Sequence, residues 1–351
     1  MSTHTSEPLV SIVTPVYNNE DYLAECIESV LAQTYQNWEY TIVNNCSTDG
    51  SAGIARRYAA RDSRIRVVDN EQFLRVVPNH NWALRQISPE SKYCKMVFAD
   101  DWIFPECLER MVAVAEQHPS IGIVGAYVLE GSAVSCVGLR YPSSFVDGRE
   151  VCRDHLLKSV YVFGSPNSLL YRSDLVRNND PFFNEGNIHA DTEVCFSLLR
   201  KCDFGFVHQV LTFTRVRDGS MTSTASDLGA SLAGRLQILL GYGPDFLAPH
   251  QQETLLADHL STYYESLGRS LLLGQKRFLE YHKAKLRASG VGFSYMRVLG
   301  GALATLWRLG ANPGRSITNV FNNSSSKSSA PAPQNSESVV PPTVPAKETR
   351  G

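Results

Sequence analysis

Strand-like runs alternate with helix-like stretches over the first third of the chain, and this alternation limits the fold more than any other feature. The run LVSIVTPVY is rich in β-branched residues, and EDYLAECIESVLAQ after it places apolar residues at helical spacing. The same order recurs with WEYTIVNN and GSAGIARRYAARD, with RIRVVDN and NHNWALRQI, and with YCKMVFA and PECLERMVAVAEQH. Strands that alternate with helices form βαβ units, so we expect an α/β fold with a mostly parallel sheet flanked by helices.

The second half of the chain is less regular and ends in helical patterns. Helical segments are predicted near 226–242, 249–273, 275–287 and 294–309. The tail from about Asn322 is rich in Ser and Pro and poor in aromatic residues, which is typical of a disordered segment. We therefore expect an α/β domain over 1–225, a C-terminal helical extension over 226–312 and a disordered tail over 313–351.

The last predicted helix has an amphipathic pattern that fits two environments. Its apolar residues fall broadly on one side, with an arginine at each flank; they are Met296, Leu299, Leu303, Leu306 and Trp307, with Arg297 and Arg308. Such a stripe either packs on neighbouring helices or lies on a membrane surface. Ordinary surface helices favour packing, so peripheral membrane contact through 294–309 is the alternative.

Composition and charge exclude some classes of function. The 351 residues carry 33 Lys and Arg against 35 Asp and Glu, so the net charge of −2 gives no reason to expect a nucleic-acid partner. No apolar run is long enough to span a bilayer, and MSTHTSEPLV lacks a signal-peptide pattern, so we expect a cytoplasmic protein. The eight cysteines form no CxxC pair, which indicates free thiols in a reducing compartment.

Polar clusters follow the early strands at the points where the strands end. They read TPVYNNED after the first strand, NNCSTDGS after the second and DDW after the fourth. In an open α/β sheet, ligands bind beyond the carboxyl ends of the strands. Side chains of this kind fit a polar ligand with several hydroxyls and phosphates.

These ordered motifs resemble the family 2 inverting glycosyltransferases of the GT-A fold. The resemblance covers roughly residues 8–220 and rests on VSIVTPVYNNEDYLAECIESVLAQTYQNWEYTIVNNCSTDGS followed by ADDW. It implies a Rossmann-like GT-A domain that moves a sugar, with inversion, from a nucleotide-diphosphate donor to a hydroxyl acceptor. It further implies that the donor is most often a UDP-sugar, although other nucleotide bases are possible. The acceptor is implied to be a glycan or lipid-linked, and the role to be cell-surface polysaccharide synthesis.

The resemblance assigns nucleotide contacts to the first two strand ends. The loop with Thr14, Pro15, Tyr17 and Asn18 corresponds to the family's nucleotide cradle, in which Tyr17 lies against the base. In the second loop, Asn44 stands where the family usually has the carboxylate that accepts the uracil N3–H. An amide oxygen can accept the same bond, but its NH2 can also donate to a different base edge. The identity of the base therefore stays open.

The segment ADDW resembles the family's DXD-type metal motif. By that resemblance Asp101 contacts a divalent cation, Mn²⁺ or Mg²⁺, while Asp100 contacts the ribose or binds through water. Many relatives carry a further Asp where this chain has Phe98. The alternative is that one of the two aspartates caps the helix expected from Pro105, although a cap requires only one carboxylate.

An inverting transfer also needs a base that takes the proton from the acceptor hydroxyl. The segment GNIHADTEVCFSLL matches the family's acidic pair at a helix start, with Ala190 in place of the usual Glu and Asp191 as the base. Glu193 is expected to point elsewhere on the helix. The alternative is that Asp191 serves as the N-cap of this helix.

Five further residues are implied as contacts of the donor sugar or the acceptor. Gly164 and Ser165 resemble the acceptor-side loop, where the missing side chain of Gly164 leaves room for the sugar. His189 adjoins the expected base. Arg215 and Arg217 are placed to neutralise the diphosphate, with Arg217 where relatives often have His.

Other classes of protein explain the sequence less well. A nucleotidyltransferase usually carries a Gly-rich basic loop after its first strand, and TPVYNNED has neither Gly nor Lys. No G-x-G-x-x-G follows the first strand, which excludes an ordinary dinucleotide-binding oxidoreductase. The departures from the family pattern keep one alternative open, a degenerate, non-catalytic transferase homologue that binds nucleotide or glycan. They are Asn44, Phe98, Ala190 and Arg217.

Overall fold

The computed structural model describes residues 7–157, 160–187, 189–217 and 228–311. The strands within these residues are β1 (Val10–Val16), β2 (Trp38–Asn44), β3 (Ile65–Asp69), β4 (Tyr93–Met96), β5 (Trp102–Ile103), β6 (Ile121–Glu130), β7 (Ala133–Ser135), β8 (Phe145–Val146), β9 (Leu170–Arg172) and β10 (Asp203–Thr214). The helices are α1 (Leu23–Leu31), α2 (Ser51–Ala59), α3 (Val76–Leu84), α4 (Cys107–Ala115), α5 (Gly148–Leu156), α6 (Ser173–Arg177), α7 (Ala190–Leu198), α8 (Ala230–Phe246), α9 (Pro249–Leu272), α10 (Lys276–Ala288) and α11 (Tyr295–Ala311).

One sheet with the strand order β3-β2-β1-β4-β9-β6-β10-β5 forms the centre of the molecule. Its first four members are parallel, as are β6 and β10, whereas β9 and β5 run antiparallel to their neighbours. The short strands β7 and β8 pair with β6 and β10. The prediction of an α/β fold with a mostly parallel sheet is confirmed, and the sheet is mixed in its second half.

Helices cover both faces of the sheet because its central strands are apolar on both sides. All seven residues of β1 are buried, and its side chains alternate between two hydrophobic clusters. Ile12 lies in the cluster that includes residues of α1 and α4, while Val13 lies in the one that includes residues of α3, α5 and α7. This is the burial pattern of a parallel sheet between two helical layers.

Strand register brings the predicted polar clusters to one edge. Val16 pairs with Asn44, and Asn44 pairs with Asp69, so β1, β2 and β3 end side by side. Val13 pairs with Met96, which places the segment after β4 at the same edge. The carboxyl ends of these strands therefore form the floor of one site.

Four C-terminal helices occupy the segments predicted from the sequence. They share a small apolar core with members from α8, α9, α10 and α11: Leu236, Tyr263, Tyr264, Leu267, Leu286 and Val298. Helix α8 also contributes Leu239 to a cluster beneath the sheet. We propose the division into an α/β domain and a helical extension on this basis, with α8 shared between them. The predicted disordered tail lies outside the described residues.

The sequence favoured packing of the apolar side of α11 on neighbouring helices. That expectation is wrong, because the large apolar side chains of α11 are exposed. Helix α11 instead contacts α9 through small residues, since a Cβ added at Gly268 would overlap the backbone of Gly301 and Ala302. The large side chains, such as Met296 and Trp307, point away from this contact and are exposed. None of the described helices has the length and hydropathy needed to cross a bilayer.

The contact between α9 and α11 gives a prediction with an internal control. Gly301→Ala is expected to destabilise the protein by about 1–3 kcal/mol, because the new methyl group would overlap the Tyr264 carbonyl. Gly300→Ala meets no atom within 4 Å and is expected to stabilise by up to about 1 kcal/mol, since Ala is the better helix former. Chemical denaturation of the two variants measures the difference. Equal effects would show that α11 is not held by this contact.

Candidate functional site

Two exposed aromatic rings stand at the carboxyl edge of β1. The side chains of Tyr17 and Phe73 are 45% and 55% exposed. Their ring centroids lie 4.7 Å apart with the planes tilted by 60°. Exposed aromatic pairs offer a flat apolar surface to a nucleobase, and Tyr17 lies where the sequence places it.

The loop after β1 is held against the loop after β2. Asn18 adopts a left-handed conformation, with φ of 50°, and its Oδ1 accepts the backbone N–H of Thr48 at 2.8 Å. Its own N–H donates to Ser47 Oγ at 3.2 Å. A left-handed Asn is uncommon, and these bonds compensate its backbone strain. Asn18 is exposed and lies beside Tyr17 at the site edge.

Thr14 and Pro15 do not face a ligand, which corrects their predicted role. Both are buried in β1. The hydroxyl of Thr14 donates to the Val97 carbonyl at 2.7 Å and lies 2.8 Å from the Tyr40 hydroxyl. Alternation along a strand sends these side chains into the two cores. They therefore support the site from beneath.

Asn44 uses both ends of its amide within the protein. Its Nδ2 donates to Oδ1 of Asp69 at 2.7 Å, and its Oδ1 accepts the N–H of Ser47 at 3.1 Å. The hydrogen bond from Asn44, together with the Arg56 guanidinium, holds the pKa of Asp69 below its usual range. One N–H of Nδ2 and one acceptor site of Oδ1 remain for a ligand, and the carboxylate bonded to Asn44 is on β3.

Asp101 is a buried carboxylate at the centre of the edge. It is 3% exposed, and its Oδ1 accepts the backbone N–H of Arg215 at 2.9 Å. Burial raises the pKa of Asp101 to about 7, and the neighbouring Asp100 adds to the rise. The N-cap of α4 is Glu106. Neither aspartate therefore caps that helix, and the capping alternative is wrong.

Two arginines that follow β10 balance the aspartate pair. Arg217 Nη2 lies 2.7 Å from Oδ2 of Asp100. Arg215 donates from Nε to the Asp100 carbonyl at 3.0 Å and forms an ion pair with Glu25 at 2.5 Å. Arg215 also lies over the ring of Tyr22, 4.6 Å from its centroid. The two arginines and the two aspartates thus form one charged cluster.

The charged cluster fits a cation that a phosphate group helps to hold. In residues 7–157, 160–187, 189–217 and 228–311, no three His, Cys, Asp or Glu side chains converge as a metal site. Mg²⁺ is commonly held by one or two carboxylates together with substrate phosphates, and Asp101 with Asp100 supplies that number. Among the described residues, the buried Nε of Arg217 has no hydrogen-bond partner. A phosphate oxygen is an acceptor of the kind this donor lacks.

The loop that contains Gly164 and Ser165 is held by internal contacts. Gly164 has φ of 57°, and an added Cβ would lie 2.5 Å from Ser168 Oγ and 2.7 Å from Cys136 Sγ. The glycine is therefore required by the backbone and by its neighbours, which corrects the expectation that it leaves room for a sugar. The Ser165 carbonyl accepts the Ser168 hydroxyl at 2.6 Å.

A lysine buried in β4 fastens this loop to the sheet. Lys95 is fully buried, and its Nζ donates to the carbonyls of Asn167 at 2.7 Å and Leu169 at 3.3 Å. Burial lowers the pKa of Lys95. On the other side, Asn167 Nδ2 donates to the Phe213 carbonyl at 3.4 Å. The loop therefore lies beside the segment of β10 that leads to Arg215.

Asp191 lies at the start of α7 and is half-buried. The N-cap residue is His189, so the alternative that Asp191 is the cap is wrong. Oδ1 of Asp191 accepts the backbone N–H of Thr192 at 2.7 Å. Burial raises the pKa of Asp191 above the usual carboxyl value. Glu193 points elsewhere, as predicted, and its carboxylate accepts a hydrogen bond from Nδ2 of Asn187 at 2.7 Å.

His189 packs against the helical extension. A Cβ added at Gly234 of α8 would overlap the His189 ring, so the ring lies directly on that helix. The buried Nε2 of His189 has no hydrogen-bond partner within the part of the chain that the structure describes. A positive charge on His189 favours the ionised form of Asp191 and opposes the effect of burial on the pKa of Asp191. The side chain is therefore close to the expected base.

Tyr161 is bonded through its backbone to the residue after Cys136, and the charge of Asp191 affects its pKa. Its backbone N–H donates to the Val137 carbonyl at 3.1 Å, beside Cys136. Its pKa is raised by burial, then by Cys136 and by the charge of Asp191. The ring itself is half-exposed. The Gly164 loop therefore lies beside the charged cluster through Asn167 and Phe213, while Asp191 lies at the start of α7.

The sequence alone missed several residues of this region. Phe73 lies between β3 and α3 without a periodic signal, and Tyr22 and Glu25 belong to a helix predicted for its apolar face. Lys95 belonged to a predicted strand and had no assigned role, whereas Asn167 was expected in the acceptor-side loop but not as a contact of the sheet. Only the unusual charge of Lys95 in an apolar run could have indicated its part.

A separate cleft of about 420 Å³ lies beside α7 and is lined by residues such as Asn184, Glu193 and Tyr242. None of the sequence-predicted site residues lines it. Glu193 there is bonded to Asn184, Asn187 and Tyr242. The cleft is therefore distinct from the charged cluster.

Comparisons with known proteins agree with this architecture. Residues 11–176 match the model of the family described as Glycosyl transferase family 2. The putative glycosyltransferase EpsE of Bacillus subtilis is 39% identical over 125 residues, which cover 35% of this chain and 44% of EpsE. The putative teichuronic acid biosynthesis glycosyltransferase TuaG of the same organism is 37% identical over 106 residues, which cover 30% of this chain and 41% of TuaG. The chain thus spans less than half the length of these two relatives.

The fold is shared with a solved glycosyltransferase structure. The crystal structure of S. aureus TarS 1-349 in complex with UDP-GlcNAc matches with a TM-score of 0.60 and 20% identity, over 90% of each chain. At this identity the likeness establishes the fold. The predicted GT-A fold is confirmed.

Proposed function

Because residues 11–176 belong to glycosyl transferase family 2, we propose that the chain is a metal-dependent inverting glycosyltransferase. It moves a sugar from a nucleotide-diphosphate donor to a hydroxyl acceptor. One observation carries the proposal: the buried Asp101 and its neighbour Asp100 meet two arginines at the carboxyl edge of the sheet. A diphosphate with its cation is a ligand that uses both the anionic and the cationic half of this cluster.

The residues present divide the reaction between them. Asp191 accepts the proton of the acceptor hydroxyl as the hydroxyl oxygen bonds to the anomeric carbon, and the bond from that carbon to the diphosphate breaks. Its raised pKa makes it a better proton acceptor than an ordinary carboxylate. Arg215 and Arg217 stabilise the charge on the leaving diphosphate. Asp101 and Asp100 would hold a divalent cation, which supplies further positive charge there when bound.

The nucleotide is proposed to stack against the aromatic pair of Tyr17 and Phe73. UDP is the proposed donor nucleotide, since the fold neighbour TarS was crystallised with UDP-GlcNAc. Asn44 already uses one N–H and one acceptor site within the protein, so we expect stacking to contribute more than base-edge bonding. If few hydrogen bonds are made to the edge of the base, nucleotides with other bases can bind as well.

Phe73→Ala tests the stacking. It is expected to weaken nucleotide binding by about 1–3 kcal/mol, because stacking on one aromatic ring contributes that much per base. The matched control is Phe145→Ala, which removes an exposed ring on β8 whose ring neighbour is His118. Calorimetric titration with UDP and Mn²⁺ measures both. Equal affinities for the two variants would place the base elsewhere.

The acceptor is proposed to be a glycan or lipid-linked hydroxyl in cell-surface polysaccharide synthesis. The relative named for teichuronic acid biosynthesis supports this class of product. We place the enzyme in the cytoplasm, at the inner face of the membrane where lipid-linked acceptors are found. The eight cysteines are free, and seven are buried, which supports a reducing compartment.

Thermal unfolding with nucleotides tests the proposal directly. UDP, GDP, dTDP and CDP are added separately, with and without Mn²⁺. A ligand that binds only the folded protein stabilises it by about 2.7 kcal/mol at 100 times its Kd. We expect a shift for UDP that requires Mn²⁺, and released UDP when UDP-sugar is turned over. Stabilisation without turnover favours the non-catalytic alternative, and no shift with any nucleotide contradicts both.

A further inference from the structure

Helix α11 presents a continuous row of large apolar side chains to solvent. The row, called the apolar stripe below, consists of Tyr295, Met296, Leu299, Leu303, Leu306 and Trp307, each 49% to 80% exposed. At 100° per residue these positions fall within about one third of the helix circumference. An exposed apolar surface of this kind marks an interaction site.

The helix is fixed in an orientation that keeps the apolar stripe outward. Its opposite side carries Val298, Gly301 and Ala302, which are buried. The close approach at Gly268 leaves no room for a larger side chain between α9 and α11. Rotating the helix to bury the stripe would place Leu or Trp at this contact, which its geometry excludes.

Basic residues outnumber acidic ones in the two helices α10 and α11. Residues 276–311 contain seven Lys and Arg and one Glu, a formal charge of +6 in a chain whose net charge is −2. Lys283 Nζ donates to the Tyr295 hydroxyl at 3.1 Å, so α10 brings its lysines to the start of the stripe. Arg297 lies over the Tyr264 ring, 4.3 Å from its centroid, and Arg308 pairs with Glu265 at 2.9 Å.

We propose that the apolar stripe binds the surface of a membrane that contains anionic lipids. Apolar side chains with Trp among them, flanked by Lys and Arg, suit the boundary between headgroups and acyl chains. Each basic residue near an anionic leaflet adds about 1 kcal/mol of attraction. A second copy of the chain would bring two such positive surfaces together, so charge favours lipid over self-association.

The inference rests on the proposed membrane location and not on the transfer chemistry. It specifies which element makes the contact: α11 inserts its stripe, and α10 supplies charge. The edge of the sheet that carries Asp101 takes no part in it. Vesicle binding therefore needs neither nucleotide nor turnover.

Sedimentation with lipid vesicles tests the inference on the full chain. Vesicles of phosphatidylcholine with 30% phosphatidylglycerol are compared with pure phosphatidylcholine. We expect the wild type to bind the anionic vesicles, and Leu303→Glu to reduce the bound fraction at least about tenfold, because a charge replaces a Leu that enters the membrane. The matched control is Val134→Glu, which changes an equally apolar, exposed residue on β7 and should bind as wild type.

Further variants separate charge, folding and catalysis. Lys283→Gln with Lys285→Gln is expected to weaken binding to anionic vesicles and to leave the weak binding to neutral vesicles unchanged. Unchanged circular dichroism of Leu303→Glu shows that the helix is intact. Asp191→Asn should bind vesicles as wild type does, even though transfer is lost. Absence of wild-type binding, equal binding by Leu303→Glu, or a stripe-dependent dimer in light scattering would each overturn the inference.

Discussion

Asp191→Asn is expected to lower the rate of sugar transfer by about 10²–10⁴-fold, the usual contribution of a positioned general base. The amide has nearly the same shape and can still accept the N–H of Thr192, so the start of α7 should persist. It cannot take the proton of the acceptor hydroxyl. Nucleotide binding, which we assign to the loops after β1 and β4, should be unchanged. Turnover of UDP-sugar with acceptor, measured beside thermal stabilisation by UDP, separates the two effects.

Glu193→Gln provides the matched control for this prediction. Glu193 lies in the same helical turn, but its carboxylate accepts bonds from Asn184 and Asn187. Its loss should lower stability slightly and keep most of the turnover. A loss of turnover equal to that of Asp191→Asn would mean that the helix start, and not the base, had been damaged.

The pH dependence of turnover gives an independent measure of the same carboxylate. Burial raises the pKa of Asp191, so its basic form is lost at a higher pH than that of an exposed aspartate. Turnover should therefore fall as pH is lowered through this raised pKa. The acid limb should vanish in the residual activity of Asp191→Asn. A limb that persists unchanged in the variant would assign the titration to another group.

Asp101→Asn is expected to abolish the metal-dependent part of nucleotide binding and to lower kcat/KM by about 100-fold or more. Losing an outer partner of a metal ligand costs about 10–100-fold, and a direct ligand should reach at least the upper end. The amide also removes one negative charge beside the arginines, whose guanidinium groups keep their ion pairs with Glu25 and Asp100. Calorimetric titration with UDP, with and without Mn²⁺, measures the loss.

The same variant should fold as well as the wild type in the absence of ligand. Asp101 is buried and its pKa is raised to about 7, so its negative charge is unfavourable in the folded protein. A neutral amide removes that cost, and the melting temperature should stay constant or rise. Asp62→Asn, which changes an ion pair with Arg64 away from this site, should leave nucleotide binding intact. Equal Mn²⁺ dependence in Asp101→Asn and wild type would contradict the metal assignment.

The sequence predicts the sheet well because its signal is local. Apolar runs with helical stretches between them specify βαβ units, and parallel strands must end at one edge. That reasoning placed Asp100 and Asp101 correctly at the edge. It did not reveal that β5, only two residues long, turns back to pair with β10, because such a strand has no periodicity of its own.

The details of the site depend on contacts between distant segments, which a linear pattern does not contain. Asn44 meets Asp69 because of the register between β2 and β3. Thr14 looked available for a ligand because it stands beside the loop, yet strand alternation turns it into the core. For α11, periodicity predicted an apolar side correctly. It did not indicate that small residues on the opposite side make the contact with α9.

The buried Lys95 affects how acceptor preference could be re-engineered. The Gly164 loop, which we propose lies on the acceptor side, is anchored from below by one amine, which contacts the carbonyls of Asn167 and Leu169 whatever the side chains above them. A loop grafted from a relative would lack the side chain that positions its backbone in that relative, unless residue 95 were exchanged together with the loop. Chimeras should therefore exchange the strand residue and the loop as a single cassette.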